Sequence, residues 1–165
     1  MSRPRRLMVR HSWSVSHGQW FTFVDSTEEP DRLVASQQIL RVLWPTMAWF
    51  DMDLAGLRDD VLVKALVEKL LPHRTRQRLR RRPSDIVHLT PGCDDAALEA
   101  AMQLLTRTVG STGFAAADSN IVYDVNDAGS SCAFRLTAAQ FIDIEARLQR
   151  RGLAPTVLVP LRQTG

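Results

Sequence analysis

NIVYDVNDAGSSCAFRL, residues 120–136, is the stretch whose reading decides the fold. Two apolar runs of strand length, NIVYDV and SCAFRL, flank Asn126-Asp127-Ala128-Gly129-Ser130-Ser131, a cluster of turn formers, so a β-hairpin is predicted. Directly after it, Thr137 precedes a segment in which Phe141, Ile144 and Leu148 recur at helical spacing. This predicts a helix over about 138–151, capped by Thr137 and ended by Gly152. APTVLVPL then returns as a strand. A hairpin feeding a helix and a further strand is not a βαβ unit; it belongs to an antiparallel sheet with helices on one face.

Working outward, Gly110-Ser111-Thr112-Gly113 reads as the most loop-like stretch of the chain and as a possible hinge. Before it, an Ala- and Leu-rich helix is predicted from about Asp94 to Thr108, and a short strand at DIVHL. Leu54–Leu71 has a long helical pattern, with Leu57, Val61, Ala65 and Leu66 on one side and Asp60 four residues before Lys64. TMAWFDM, 46–52, reads as a buried strand, with a continuation of the preceding helix as the alternative. Ser26-Thr27-Glu28-Glu29-Pro30 has capping-box spacing ahead of a helix from about Thr27 to Trp44. Residues 7–24 alternate with period two around His17-Gly18-Gln19, predicting a first hairpin whose second arm is WFTFV. The expectation is a single α+β domain over 1–165. Two hairpins and a C-terminal strand form a mainly antiparallel sheet, packed by three to five helices.

The 165 residues are 45% hydrophobic and 24% charged, with a formal net charge of +3. A chain of this length buries enough surface to fold without disulfides or a structural metal. Cys93 and Cys132 carry no metal-ligand spacing and suit a reducing compartment. No run is long and apolar enough for a membrane span and the start lacks a secretory h-region, so a cytoplasmic location is expected. The GxSxG, P-loop, GxGxxG and HExxH signatures do not occur. A non-enzymatic role is favoured, with no cofactor and no metal.

The positive charge is nearly all arginine, a bias that a GC-rich genome also produces. Six arginines, Arg74, Arg76, Arg78, Arg80, Arg81 and Arg82, fall in nine residues with no acid. On a helix, Arg74, Arg78 and Arg81 would share a stripe, with Arg76 and Arg80 beside it. Such a run is solvated, neutralised by the chain's own acids, or met by an acidic partner. The acids are segregated into Asp25, Glu28, Glu29 and Asp31 on one side and Asp51, Asp53, Asp59 and Asp60 on the other, so internal neutralisation is open. The functional expectation is a small interaction domain whose arginine-rich helix binds an acidic protein or a nucleic-acid backbone. Arg3, Arg5 and Arg6 could join that footprint.

A second class of function rests on Asp51-Met52-Asp53, whose carboxylates share one face of a strand. They could assist a divalent metal or acid/base chemistry with His11 or His17. The plainer reading makes Asp53 a helix cap. Cys93 with His88 as partner is a weaker nucleophile candidate, because Asp94 and Asp95 oppose thiolate formation. Trp13, Trp20, Trp44 and Trp49 suggest a dense aromatic core under the first hairpin. SCAFRL and TVLVPL offer an edge for a second copy.

Overall fold

The central hairpin forms as read: β5 (Ile121–Asn126) and β6 (Ser131–Leu136) pair antiparallel with Tyr123 opposite Phe134. The computed structural model describes residues 18–75 and 85–161. Around the hairpin lie β1 (Gln19–Phe23), β2 (Met47–Asp53), β3 (Ile86–Leu89), β4 (Gly110–Ala115) and β7 (Leu158–Pro160). Among the described residues, seven strands make one sheet in the order β3-β2-β4-β5-β6-β1-β7, and every pairing is antiparallel. This is an α+β architecture with more strands than two hairpins and a terminal strand supply.

Alternation fixes what each strand buries. One row, Leu89–Phe50–Gly113–Tyr123–Phe134–Phe21–Pro160, runs across all seven strands. The rings of Phe50 and Tyr123 come from strands two apart, yet their centroids lie 5.7 Å from each other. They meet because the residue between them, Gly113, has no side chain to separate them. Tyr123 and Phe134 continue the row at 5.2 Å.

Helices cover this face. α1 (Glu29–Leu43) packs against α3 (Asp95–Leu104) and α4 (Ala138–Arg150), and α2 (Lys64–Leu70) packs on α3. Phe141 of α4 stacks on Phe21 at 4.6 Å, and Trp44 at the end of α1 meets Phe50 edge-on. The cap predicted at Thr137 is a full capping box, closed by the Gln140 side chain.

Several expectations are corrected. Gly110–Gly113 is not a loop but part of β4, with Gly110 paired to β5 and Ser111–Gly113 paired to both β2 and β5. β1, expected as the second arm of a hairpin, is paired with β6 on one edge and β7 on the other. The first arm, with His11, Trp13 and His17, lies outside the described residues. α1 starts at Glu29 behind Glu28, with no side-chain cap, so Ser26 forms no capping box. α3 ends at Leu104, short of Thr108, whose hydroxyl instead donates to the Asp53 carbonyl and accepts from the Gly110 N–H.

The long helix over 54–71 shrinks to α2. Ahead of it, Asp53 Oδ1 accepts from Ala55 N at 2.8 Å and Asp60 Oδ1 from Leu62 N at 2.9 Å. Gly56 has φ +80°. Such side-chain bonds offer the backbone an alternative to helix, so 55–63 runs as turns. The buried stripe becomes Val63, Val67 and Leu70, and Val61 is left 85% exposed.

The tryptophan core is also corrected. With Phe21 and Phe50 pointing inward, Trp20 and Trp49 lie on the other face, and neither they nor Trp44 is fully buried. As for an edge that could pair with a second copy, β6 is interior. The edge strand β7 spans three residues and ends in Pro160, which has no N–H to offer.

Candidate functional site

The basic segment begins where α2 stops. Pro72 sits in a 3-10 turn, Leu71–His73, after which the chain extends. Arg74 is therefore not helical: its φ and ψ are −63° and 137°, and it forms an isolated bridge with Val87. Thr75 N then bonds Ile86 O at 3.0 Å. The base of the segment is thus fastened along the outer edge of β3. Arg76, Arg78, Arg80, Arg81 and Arg82 lie outside the described residues.

Two histidine–aspartate pairs flank this attachment. His73 Nε2 lies 3.3 Å from Asp94 Oδ2, and His88 Nδ1 lies 2.7 Å from Asp51 Oδ1. A carboxylate only accepts, so each ring nitrogen is the donor. Asp94 also caps α3, and the Ala97 N–H followed by His73 holds its carboxyl below the usual carboxylate range.

Internal neutralisation is selective. Arg41 pairs with Glu99 at 2.9 Å, Arg58 with Asp85 at 2.8 Å, Arg107 with Asp60 at 3.8 Å, Arg135 with Asp118 at 3.1 Å and Arg147 with Asp143 at 3.0 Å. Arg32 donates to the carbonyls of Thr27, Gly129 and Asp25. Arg74 donates Nε to the Leu71 carbonyl at 3.3 Å and, among the described residues, has no carboxylate in salt-bridge range. With Arg58, Lys64 and Glu68 it rims a groove of about 190 Å³ that Val67 and Leu71 also line. Three cations and one carboxylate leave this rim positive, although Arg58 is already matched by Asp85. The sequence offers Lys64 only as the i+4 partner of Asp60 and does not single out Arg58; with 55–63 running as turns, both line the groove with Arg74.

The two aspartates of the second candidate separate in role. Asp53 bonds the Ala55 N–H, as the capping reading expected of it, though the element begun is a turn. Asp51 instead engages His88 across the β2–β3 pair, where the two are register partners. Trp49 stacks over the His88 ring at 6.1 Å and on Phe114 at 4.7 Å. Among the described residues, no group of three or more His, Cys, Asp or Glu could hold a metal ion, so Asp51, Asp53, Asp59 and Asp60 do not assemble a centre. Cys93 is a poor nucleophile. Burial and then the Asp94 and Asp95 carboxylates push its thiol up. Burial pushes the Cys132 thiol up to about 11.

No helix among the described residues is long and apolar enough to cross a membrane. No family model, curated protein or solved structure matches the chain.

Proposed function

We propose that this chain is a small binding module for an acidic partner, engaged through the basic segment that begins at Arg74. The observation that carries the reading is the state of Arg74. Among the described residues, Arg41, Arg58, Arg107, Arg135 and Arg147 each have a carboxylate within 4 Å, and Arg150 and Arg151, exposed at the end of α4, do not; Arg74 differs from these two in being held extended at the rim of a groove, its guanidinium bonded to the Leu71 carbonyl. A guanidinium in that state keeps donors for a carboxylate or phosphate of another molecule. The attachment of Arg74 and Thr75 to β3 presents the start of the run from a fixed base. Cys93 and Cys132, both free, fit a reducing compartment such as the cytoplasm. Association would be steered by charge and completed by bidentate guanidinium contacts.

The test is fluorescence anisotropy of the full chain with a labelled Glu-rich peptide and with a thymidine oligonucleotide, each at two salt concentrations. At least one probe should bind, weaken as salt rises, and lose about tenfold in affinity with Lys64→Glu and Arg74→Glu combined. If neither probe binds at low salt, or the charge reversal changes nothing in a folded protein, the proposal fails.

The Asp51–His88 pair supports a second, catalytic reading. Asp51 fixes the ring through Nδ1, which leaves Nε2 as the position for a general base; His88 takes the place given to His11 or His17. A substrate screen in which turnover is lost with both His88→Gln and Asp51→Asn would put this reading first.

A further inference from the structure

Resting on the binding reading above, we infer that the partner is an acidic protein segment carrying bulky apolar side chains, docked on the turn and helix at 58–74, and not a nucleic-acid backbone. The groove rimmed by Arg58, Lys64, Glu68 and Arg74 carries three cations to one carboxylate and is not purely polar: Val67 and Leu71 also line it. Val61 and Leu62, in the turn that joins Arg58 to Lys64, are 85% and 83% exposed. They are the two most exposed large hydrophobic residues of the described structure, and they are neighbours in sequence.

Their exposure is built in. Asp60 Oδ1 holds the Leu62 N–H, and Val63 N bonds Asp60 O at 3.2 Å, so the turn delivers Val63 to the core and turns its two predecessors outward. Isolated exposed aliphatics are ordinary. An adjacent pair in the turn that joins two residues of a groove lined by Val67 and Leu71, with three cations to one carboxylate around it, is the composition of a protein interface. Phosphodiester contacts use the cations and gain nothing from two exposed aliphatic side chains. An acidic segment with leucine-like anchors uses both: carboxylates meet Lys64 and Arg74, while the anchors cover Val61, Leu62 and the apolar lining of the groove.

The experiment compares three labelled probes on the full chain: an 18-residue peptide alternating Glu pairs with Leu, a Glu-rich peptide of equal charge with Ser in place of Leu, and a thymidine oligonucleotide of equal charge. The variants are Val61→Ser with Leu62→Ser, both on the surface, and Lys64→Glu with Arg74→Glu. The inference expects the Glu/Leu peptide to bind tightest and to lose about tenfold in the serine variant, the loss that follows from exposing part of two aliphatic side chains. Charge reversal should weaken it as well. Equal binding of the Ser-containing peptide, indifference to the serine variant, or tighter binding of the oligonucleotide overturns this inference and leaves the acidic-partner reading standing. Failure of all three probes, with circular dichroism showing a folded chain, removes both.

Discussion

Replacing Gly113 by alanine asks directly whether the Gly-Ser-Thr-Gly stretch is a loop or the middle of a sheet. A Cβ at this position would lie 2.6 Å from Met47 Cε, 3.0 Å from Met47 Sδ and 3.2 Å from Tyr123 Cβ. The Met47 end is the flexible party, but Met47 is 3% exposed and held in a close-packed core. Tyr123 Cβ is tied to the β5 backbone and cannot retreat without moving the strand. Overpacking of this kind costs about 1–3 kcal/mol. Against it, alanine restricts the unfolded chain and returns roughly 0.4–1 kcal/mol. The expected net is a loss of about 1–2 kcal/mol, read by urea denaturation as a lower midpoint at unchanged slope. In a flexible loop the same substitution would be neutral or stabilising, so the sign alone discriminates. A double-mutant cycle with Met47→Ala adds the partner. That variant alone should cost about 2–5 kcal/mol. The pair should cost less than the sum by about 1 kcal/mol, because the new methyl enters the vacated space. A Gly113→Ala protein as stable as the parent, with an additive cycle, would refute the close approach of β2, β4 and β5 at this point.

Thr137→Ala opens the capping box of α4 and should cost about 1 kcal/mol, which calorimetry would register as a melting temperature lower by about 2–4 °C; no shift would deny the cap a stabilising role. The folded-state depression of the Asp94 carboxyl makes its contribution fully present above the ordinary carboxylate range and lost as pH falls through the lowered value; Asp94→Asn should flatten this part of the acid limb in a pH series of urea titrations. Both thiols have raised pKa values and so less thiolate at neutral pH. Iodoacetamide at pH 8 should label Cys93 slowly and leave Cys132 untouched until the protein unfolds, with peptide mass spectrometry as the readout.

What the sequence made legible was local. The hairpin over 121–136, the strands at 47–53 and 86–89 and the capped helix at 138–150 each carry their turn formers, alternation or cap within a dozen residues. What it hid was non-local or competitive. The neighbours of β1 cannot be read from 7–24, because β6 and β7 claim both of its edges from the far end of the chain. Gly113 resembles loop material by composition, whereas its packing between Phe50 and Tyr123 is what demands a glycine. The helix over 54–71 failed at Asp53 and Asp60, where side chains bind the backbone that a helix would have used. At the site, the aspartate and the histidine were each visible as candidates. Their partnership needed the β2–β3 register, which no spacing along the chain encodes.

The placement of β1 also sets a schedule for biosynthesis. Phe21 and Phe23 find their strand partners, Phe134 and Leu158, only after more than a hundred further residues have been polymerised. At about 5–20 residues per second, Trp20-Phe21-Thr22-Phe23 emerges from the ribosome and waits for several seconds or longer without the strands that will flank it. An aromatic-rich tetrapeptide in that position is a natural client for a nascent-chain chaperone, and the time it spends unhoused follows from sheet order and the rate of synthesis.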